Sequence, residues 1–173
     1  MLGPFGGLSS VDLTATVSDL GGLGSYGLYG YSPDRIRETV DQLRAATGSP
    51  FALNLWLPTG AERDPDPDEF QRQVEALAQL FEEVGITPPP RPDRYLPAIE
   101  DQIQATIEAE PAVISFVYGV PSADVVEEAG RRGIRIAGTA TTVEEALALE
   151  AGGVDGIVAT GAEAAGHRVS FLE

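Results

Sequence analysis

Short apolar runs of strand length alternate with segments of helical period along this 173-residue chain. The later runs are rich in Val and Ile and do not alternate with polar residues, which is typical of strands covered on both faces. Repeated strand–helix units predict an α/β fold with a parallel sheet, either open or closed into a barrel. We expect a short strand stub at the N-terminus and five full strands, at 23–27, 51–57, 112–117, 135–139 and 156–160.

Helix start signals separate these strands. Ser9 or Ser10 can cap a first helix, Ser32 followed by Pro opens a second, and Thr141 or Thr142 can cap a helix after the strand at 135–139. Such caps are favoured because their hydroxyl oxygens accept hydrogen bonds from backbone N–H groups in the first helical turn.

The middle of the chain is rich in Pro and acidic residues. A polar loop at 59–68 precedes an apolar stripe of helical period over 70–84. The Pro-rich run at 88–92 is interpreted as a stiff linker rather than a domain boundary, because helical period resumes over 95–107. We therefore predict a single domain, 1–173.

Composition excludes several classes of function. Asp and Glu outnumber the basic residues 27 to 11, and the formal net charge of −16 disfavours binding to nucleic acid or to an anionic membrane surface. Cysteine is absent and His167 is the only histidine, so no metal site is expected. No run reaches the roughly 18 apolar residues of a membrane span. The N-terminus also lacks the features of a signal peptide, which predicts a cytoplasmic location.

Function in a parallel α/β fold is expected at the carboxyl edge of the sheet, where strands end and helices begin. His167 follows the last strand in a Gly-rich segment and is suited to general-base chemistry near neutral pH, with a surface histidine beside Arg168 as the alternative. Asn54 lies inside an apolar strand, where its amide needs partners from either a ligand or a loop carbonyl.

Further candidates at this edge also have simple structural explanations. Gly161 and Gly166 would let backbone N–H groups approach a ligand, or are ordinary turn glycines. Thr139 could contact a phosphate or a ribityl hydroxyl. The acidic stretches at 64–68 and 144–145 are expected to be solvated surface. Four tyrosines could line an apolar pocket or belong to the core: Tyr26, Tyr29, Tyr31 and Tyr118.

Several segments resemble the nitronate monooxygenase (2-nitropropane dioxygenase) family. Gly-Pro-Phe at 3–5 and Ser-Asp-Leu-Gly-Gly-Leu-Gly at 18–24 are similar to the opening of these proteins. The most specific match is Gly-Ala-Glu-Ala-Ala-Gly-His-Arg at 161–168, which is similar to the family's Gly-x-Glu-Ala-Gly-Gly-His-Arg motif. Further segments resemble the family in the expected order, at 51–55, 114–121 and 138–145.

The resemblance implies a TIM barrel with FMN at its carboxyl face. It implies that His167 is a base or a substrate-orienting group, that Asn54 contacts the flavin, and that Gly3, Pro4 and Phe5 line the isoalloxazine. The implied reaction oxidises an alkyl nitronate or nitroalkane to a carbonyl compound and nitrite, with O2 as co-substrate. FMN-dependent enoyl reductases share much of this scaffold, and the His-Arg pair favours the monooxygenases. The expected cofactor contacts extend to Thr139, Thr160, Gly161 and Gly166.

The sequence departs from the family pattern at three positions. Thr160 stands where many members carry Gln, which removes one flavin contact, and Val117 stands where several carry His. Ala165 stands where the motif has Gly, which adds a methyl group where the backbone approaches the ligand.

The length of the chain predicts an incomplete barrel. The chain ends five residues after Arg168, whereas a TIM barrel needs about 250 residues and places its phosphate site after strands seven and eight. We therefore expect parallel βα repeats of a TIM-barrel type with about five to six strands and with those last two strands missing. The open edges would be available for pairing with a second copy. A catalytically inactive truncated subunit or assembly module, and an enoyl reductase-like protein, remain as alternatives.

Overall fold

Five parallel strands form one sheet in the order in which they occur along the chain. A computed structural model describes residues 1–60, 66–164 and 166–172. Every neighbouring pair of strands is parallel, which confirms the predicted repeat of strand–helix units. The strands are β1 (Gly24–Gly27), β2 (Phe51–Trp56), β3 (Val113–Val117), β4 (Arg135–Ala140) and β5 (Gly156–Ala159).

The predicted strand stub at the N-terminus is wrong. Residues 1–10 are all described and contain no strand. The backbone N–H of Leu2 donates one hydrogen bond of 2.8 Å to the carbonyl of Leu23. Pro4 has no N–H to donate, so a ladder cannot continue beyond this single contact.

Helices connect the strands, and three predicted caps are confirmed. Within the described residues the helices are α1 (Val11–Asp19), α2 (Pro33–Ala46), α3 (Pro67–Ala76), α4 (Ala78–Val84), α5 (Ile99–Glu108), α6 (Ala123–Arg131) and α7 (Val143–Ala151). Ser10, Ser32 and Thr142 each accept a hydrogen bond from the backbone N–H three residues later, at 3.1, 3.3 and 3.2 Å. None of these helices is long and apolar enough to cross a membrane.

The chain divides into two compact units. One unit, 1–59 with 98–173, contains all five strands, and the other, 60–97, contains α3 and α4. The apolar stripe predicted as one helical segment over 70–84 forms two helices that meet at Leu77, and neither buries a residue. Helix α5 begins at Ile99, later than the predicted start at 95. Residues 61–65, which include part of the predicted polar loop and acidic stretch, lie outside the described residues.

The two faces of the sheet carry side chains of different size. Large apolar side chains of β2, β3 and β4 pack with α2 and α5 into one buried cluster, which includes Ile36, Leu43, Leu53, Leu55, Ile107, Ile114, Phe116 and Ile136. The middle of the opposite face carries small or polar residues, namely Ala52, Asn54, Ser115, Ala137 and Thr139, and larger side chains stand on that face at the strand ends, namely Trp56, Val113 and Val117. The strands therefore alternate in side-chain size, which the expectation of uniformly apolar strands missed.

The last strand lies at an open edge of the sheet. All four residues of β5 are exposed, and Ile157 and Val158 keep 40% and 39% of their surface accessible. Strand β5 pairs with β4 alone among the described residues. The expectation that both faces of the later strands are covered is therefore wrong for β5.

Candidate functional site

Aromatic side chains from three strand ends meet at the carboxyl edge of the sheet. The indole of Trp56, the last residue of β2, lies 4.4 Å from the ring of Tyr29 and 5.2 Å from the ring of Tyr118, measured between centroids. The imidazole of His167 lies 5.2 Å from the same indole, with the two planes inclined by 67°. This edge-to-face arrangement is one of the favourable geometries of aromatic pairs. We call these four residues the aromatic cluster.

The backbone holds one member of the cluster in an unusual conformation. Tyr118 directly follows β3 and has φ +67°, a left-handed conformation that costs free energy for a residue with a Cβ. Tyr29 follows β1 and is about half exposed. Burial and the neighbouring Tyr29 both raise the pKa of the Tyr118 phenol. Strained residues at strand ends are common in functional sites, where surrounding contacts hold them in place.

Asn54 lies two residues before Trp56 on the same strand face, about 7 Å along β2. Its side chain is 2% exposed, and its Nδ2 donates to the carbonyl of Ser115 at 3.1 Å and to the Ser115 hydroxyl at 3.0 Å. Asn54 and Ser115 are register partners in the β2–β3 ladder. Within the described part of the chain, the hydrogen bonds of this amide are formed by Nδ2 alone. The adjacent strand therefore satisfies the donor side of Asn54, and Oδ1 is the atom that a ligand would approach.

The N-terminal turn is tied to the end of β1 through Ser9. The Ser9 hydroxyl accepts from the backbone N–H of Phe5 at 3.2 Å and of Gly27 at 3.0 Å, and it donates to the carbonyl of Phe5 at 2.9 Å. A Cβ at Gly27 would lie 3.1 Å from the carbonyl oxygen of Phe5, so a larger residue there would push the N-terminal turn outward by a few tenths of an ångström. Because Gly27 pairs with Asn54, the turn containing Gly3, Pro4 and Phe5 lies at the same edge as the aromatic cluster.

The segment that carries His167 follows β5, and we call its described residues, 161–164 and 166–169, the histidine loop. The backbone N–H of Thr160 donates to the carbonyl of Ala140 at 2.9 Å, which fixes the start of the loop to β4. Gly166 has φ +91°, which favours glycine, and His167 is exposed next to it. Ala165, the departure from the family motif, lies outside the described residues.

Glu145 in the first turn of α7 is fully buried, so its interpretation as solvated surface is wrong. Its carboxylate accepts hydrogen bonds from Thr141, Ser170, Phe171 and Leu172. Burial by itself would raise the pKa of this carboxyl group, but the backbone N–H groups and the Ser170 hydroxyl stabilise the charged form and lower the pKa to about 2. The prediction failed because these partners lie far along the chain.

The structure brings some predicted site residues together and separates others. His167 and Asn54 both adjoin Trp56, and Thr139 lies 9% exposed on the same face of the sheet as Asn54. Gly161 is exposed, and a Cβ there would meet the Glu163 carboxylate at 2.5 Å.

The four candidate tyrosines divide into two groups. Tyr29 and Tyr118 join the aromatic cluster, whereas Tyr26 and Tyr31 pair with each other, with their hydroxyls 3.3 Å apart. Tyr26 belongs to the core, and burial together with Tyr31 raises the pKa of its phenol to about 12. The sequence placed Trp56 beside Asn54 at the carboxyl end of its strand but assigned it no role, and the structure shows that it contacts the other three rings of the aromatic cluster.

Comparison with known proteins identifies one family. The nitronate monooxygenase family model matches residues 1–172. The chain is 40% identical to a nitronate monooxygenase of Paraburkholderia phytofirmans, over 97% of this chain and 46% of that protein. It is 38% identical to a nitronate monooxygenase of Pseudomonas aeruginosa, over 97% of this chain and 48% of that protein. The chain thus spans about half the length of the curated relatives it matches.

Solved structures of similar fold agree with this comparison. A nitroalkane oxidase from Streptomyces ansochromogenes superposes with a TM-score of 0.74 at 30% identity, over 99% of this chain and 48% of that one. FabK from Thermotoga maritima superposes with a TM-score of 0.60 at 23% identity, over 90% of this chain and 39% of that one. The second likeness concerns the fold alone. Together with the parallel sheet, these comparisons confirm α/β repeats of the TIM-barrel type.

Proposed function

The chain belongs to the nitronate monooxygenase family, and from that premise we propose that it takes part in the FMN-dependent oxidation of alkyl nitronates by O2, giving a carbonyl compound and nitrite. One observation carries the proposal. His167 is held against Trp56 at the carboxyl edge of a parallel sheet, next to the strand face that contains Asn54. In parallel α/β folds this edge is where ligands bind.

The residues at this edge fit a flavin ring system. A flavin presents polar N–H and C=O groups along one side and two flat apolar faces. The Oδ1 of Asn54 and the hydroxyls of Thr139 and Thr160 provide polar partners on the strand ends. At Gly3 and Gly166 no heavy atom lies within 4 Å of the position that a Cβ would occupy, so the backbone there leaves room for a ring. These features support the proposed cofactor residues, including Pro4 and Phe5 in the N-terminal turn.

We propose that His167 is the residue that acts on the substrate. As a neutral imidazole it would take the proton from the carbon next to the nitro group of a nitroalkane. As an imidazolium it would hold the negatively charged oxygens of a nitronate by hydrogen bonding and charge. The exposed side of the His167 imidazole is available for either role, and its other side packs against the indole of Trp56. FMN, when bound, supplies the acceptor for the electron that the nitronate gives up and passes it on to O2.

Two alternatives from the sequence stay open to test. An enoyl reductase would oxidise NAD(P)H rapidly with an enoyl thioester, and the likeness to FabK supports only a common scaffold. A catalytically inactive assembly module would pair with a second copy through open sheet edges. Sedimentation of the chain as a stable monomer would argue against that module. Pairing with a second copy and a cytoplasmic location remain predictions.

The proposal is tested by nitrite release from an alkyl nitronate in the presence of FMN and O2. We expect His167→Asn to lower the rate by at least about a hundredfold, the usual contribution of a general acid–base group, while flavin binding is retained. Glu144→Gln, on the exposed side of α7, is the matched control and should leave the rate unchanged. Undiminished turnover by His167→Asn would overturn the role of His167. Rapid NAD(P)H oxidation without nitrite release would favour the reductase.

A further inference from the structure

The histidine loop leaves the sheet and returns to it at the same corner. At its start, the backbone N–H of Thr160 binds the carbonyl of Ala140 at the end of β4. At its end, the hydroxyl of Ser170 lies 2.9 Å from the hydroxyl of Thr141, the residue after Ala140. Both ends of the loop are therefore fixed to neighbouring residues, Ala140 and Thr141.

Glu145 provides most of the contacts at the returning end. Its Oε2 accepts from the backbone N–H of Thr141 at 2.6 Å and from the Thr141 hydroxyl at 2.8 Å. Its Oε1 accepts from the Ser170 hydroxyl at 2.8 Å and from the backbone N–H groups of Phe171 and Leu172 at 2.6 and 3.1 Å. One buried carboxylate thus joins the first turn of α7 to the three residues that follow the histidine loop.

A helix cap by itself does not account for this arrangement. Thr142 already caps α7 by accepting from the backbone N–H of Glu145 at 3.2 Å. In a capping box the Glu at the third helical position bonds back to the N–H of the cap residue. Here one carboxylate oxygen of Glu145 accepts from Thr141 instead, and the other accepts from the 170–172 segment. A buried charge is costly unless it is fully hydrogen-bonded, so the five donors point to a requirement for holding this segment.

Among the described residues, the side chain of His167 makes its ring contact with Trp56. The side chains of His167 and Arg168 are exposed, and Gly166 before them is conformationally free. Val169 is the first buried residue on the returning side, and Ser170 follows it. The ring contact with Trp56 is therefore made by a side chain whose backbone is fixed from one side by the Glu145 contacts.

We propose that Glu145 is a positioning residue of this site, which holds the imidazole of His167 against Trp56 by fastening the end of the histidine loop. The catalytic meaning of this role rests on the proposed function, because it requires His167 to act on the substrate. The role of Glu145 in positioning His167 does not depend on the proposed function, and it is measured separately.

The chain offers a direct optical measurement, since Trp56 is its only tryptophan and His167 its only histidine. A protonated imidazole in contact with an indole quenches the indole fluorescence, and a neutral imidazole does so far less. We expect the emission of Trp56 to be lower at about pH 5 than at about pH 8. His167→Asn should abolish this difference and serves as the blank.

Glu145→Gln tests the proposal with almost no change in size. The glutamine amide can lie in two orientations. In either one, its NH2 group faces a backbone N–H, that of Thr141 or that of Phe171, which donates to the carboxylate in the wild type. We expect this variant to lose most of the pH-dependent change in Trp56 emission. Glu144→Gln, the exposed neighbour in the same helical turn, should keep it in full.

Ser170 keeps the test decisive if Glu145→Gln does not fold. Ser170→Ala removes one donor and leaves α7 intact, so it should reduce the quenching difference, and Ser170→Thr, which retains a hydroxyl, should restore it. Full quenching in folded Glu145→Gln, or in Ser170→Ala, would overturn the proposal. So would a wild-type chain whose pH-dependent emission does not respond to His167→Asn.

Measurement of kcat then distinguishes a positioning role of Glu145 from a purely structural one. With nitronate as substrate, Glu145→Gln should lower kcat by about a hundredfold, the cost of misplacing a reacting group by about 1 Å. Its bound flavin spectrum should remain that of the wild type. If no variant turns over nitronate while the fluorescence results hold, the proposed function fails and the positioning role stands. Loss of quenching with unchanged kcat would overturn the catalytic meaning of Glu145.

Discussion

The indole of Trp56 and the imidazole of His167 meet edge to face with centroids 5.2 Å apart, although they come from opposite halves of the chain. Trp56 is the last residue of a buried strand, and His167 lies in an exposed loop that follows the last strand along the chain. The contact therefore joins the buried sheet to an exposed segment.

Trp56 should act as the platform for His167. Trp56→Ala removes the ring on which the imidazole rests, and we expect the rate of nitrite release to fall by about tenfold to a hundredfold through loss of orientation. Trp56→Phe keeps an aromatic face and should retain most of the rate. Steady-state kinetics of the two variants check this, and equal rates for Trp56→Ala and wild type would contradict it.

Glu145 should make stability depend on pH in a defined direction. Its folded pKa of about 2 lies below the ordinary value of 4.5, so its contribution is fully present above about pH 4.5 and is lost as the pH falls towards 2. Glu145→Gln should be destabilised by about 2–3 kcal/mol at neutral pH, because buried donors lose a charged acceptor.

Urea unfolding of both proteins from about pH 7 to about pH 3 measures this dependence. The difference in unfolding free energy between wild type and Glu145→Gln should shrink steadily below about pH 4.5. A difference that stays constant over the whole range would mean that the carboxylate is not stabilised by the 170–172 segment.

Tyr118 should carry backbone strain that a glycine relieves. Tyr118→Gly and Tyr118→Ala both lose the ring contact with Trp56, but only alanine keeps a Cβ at φ +67°. We expect the glycine variant to be more stable than the alanine variant by about 1 kcal/mol, the reverse of their order at ordinary positions. Thermal unfolding of the pair checks this, and a more stable alanine variant would contradict the left-handed conformation.

Ser9 should hold the N-terminal turn at the flavin edge. Ser9→Ala removes the hydroxyl that joins Phe5 to Gly27, and a net loss of about 1–2 kcal/mol in unfolding free energy is expected. Because the loosened turn contains Gly3 and Pro4, FMN should bind more weakly in titrations. Ser9→Thr keeps the hydroxyl and is the matched control. Equal FMN affinity in all three proteins would mean that the N-terminal turn does not contribute to FMN binding.

Local sequence patterns predicted most of the fold. Ser10, Ser32 and Thr142 act as the helix caps they resemble, and the apolar runs form the five strands. These signals are local, because a cap or a strand is decided by residues within one or two turns. The break at Leu77 between α3 and α4 has no Gly or Pro to announce it, so the pattern missed it.

The site was only partly predictable because its contacts are long-range. Glu145 follows a threonine at capping-box spacing, and that local pattern places its side chain at the surface. Its actual partners include residues 170–172, which carry no periodic signal. Asn54 was selected as a buried amide in need of partners, but sequence could not show that Ser115 on the next strand would supply them.

The central claim is that the carboxyl edge around Trp56 and His167 binds a flavin, and a fluorescence titration with FMN tests it most directly. Emission of the single tryptophan overlaps flavin absorption, so FMN bound at this edge should quench it saturably and with one-to-one stoichiometry. Riboflavin, which has the same ring without the phosphate, should quench the same residue to the same extent at higher concentration. We predict saturable quenching by both ligands. Emission that FMN leaves unchanged at every concentration would contradict it.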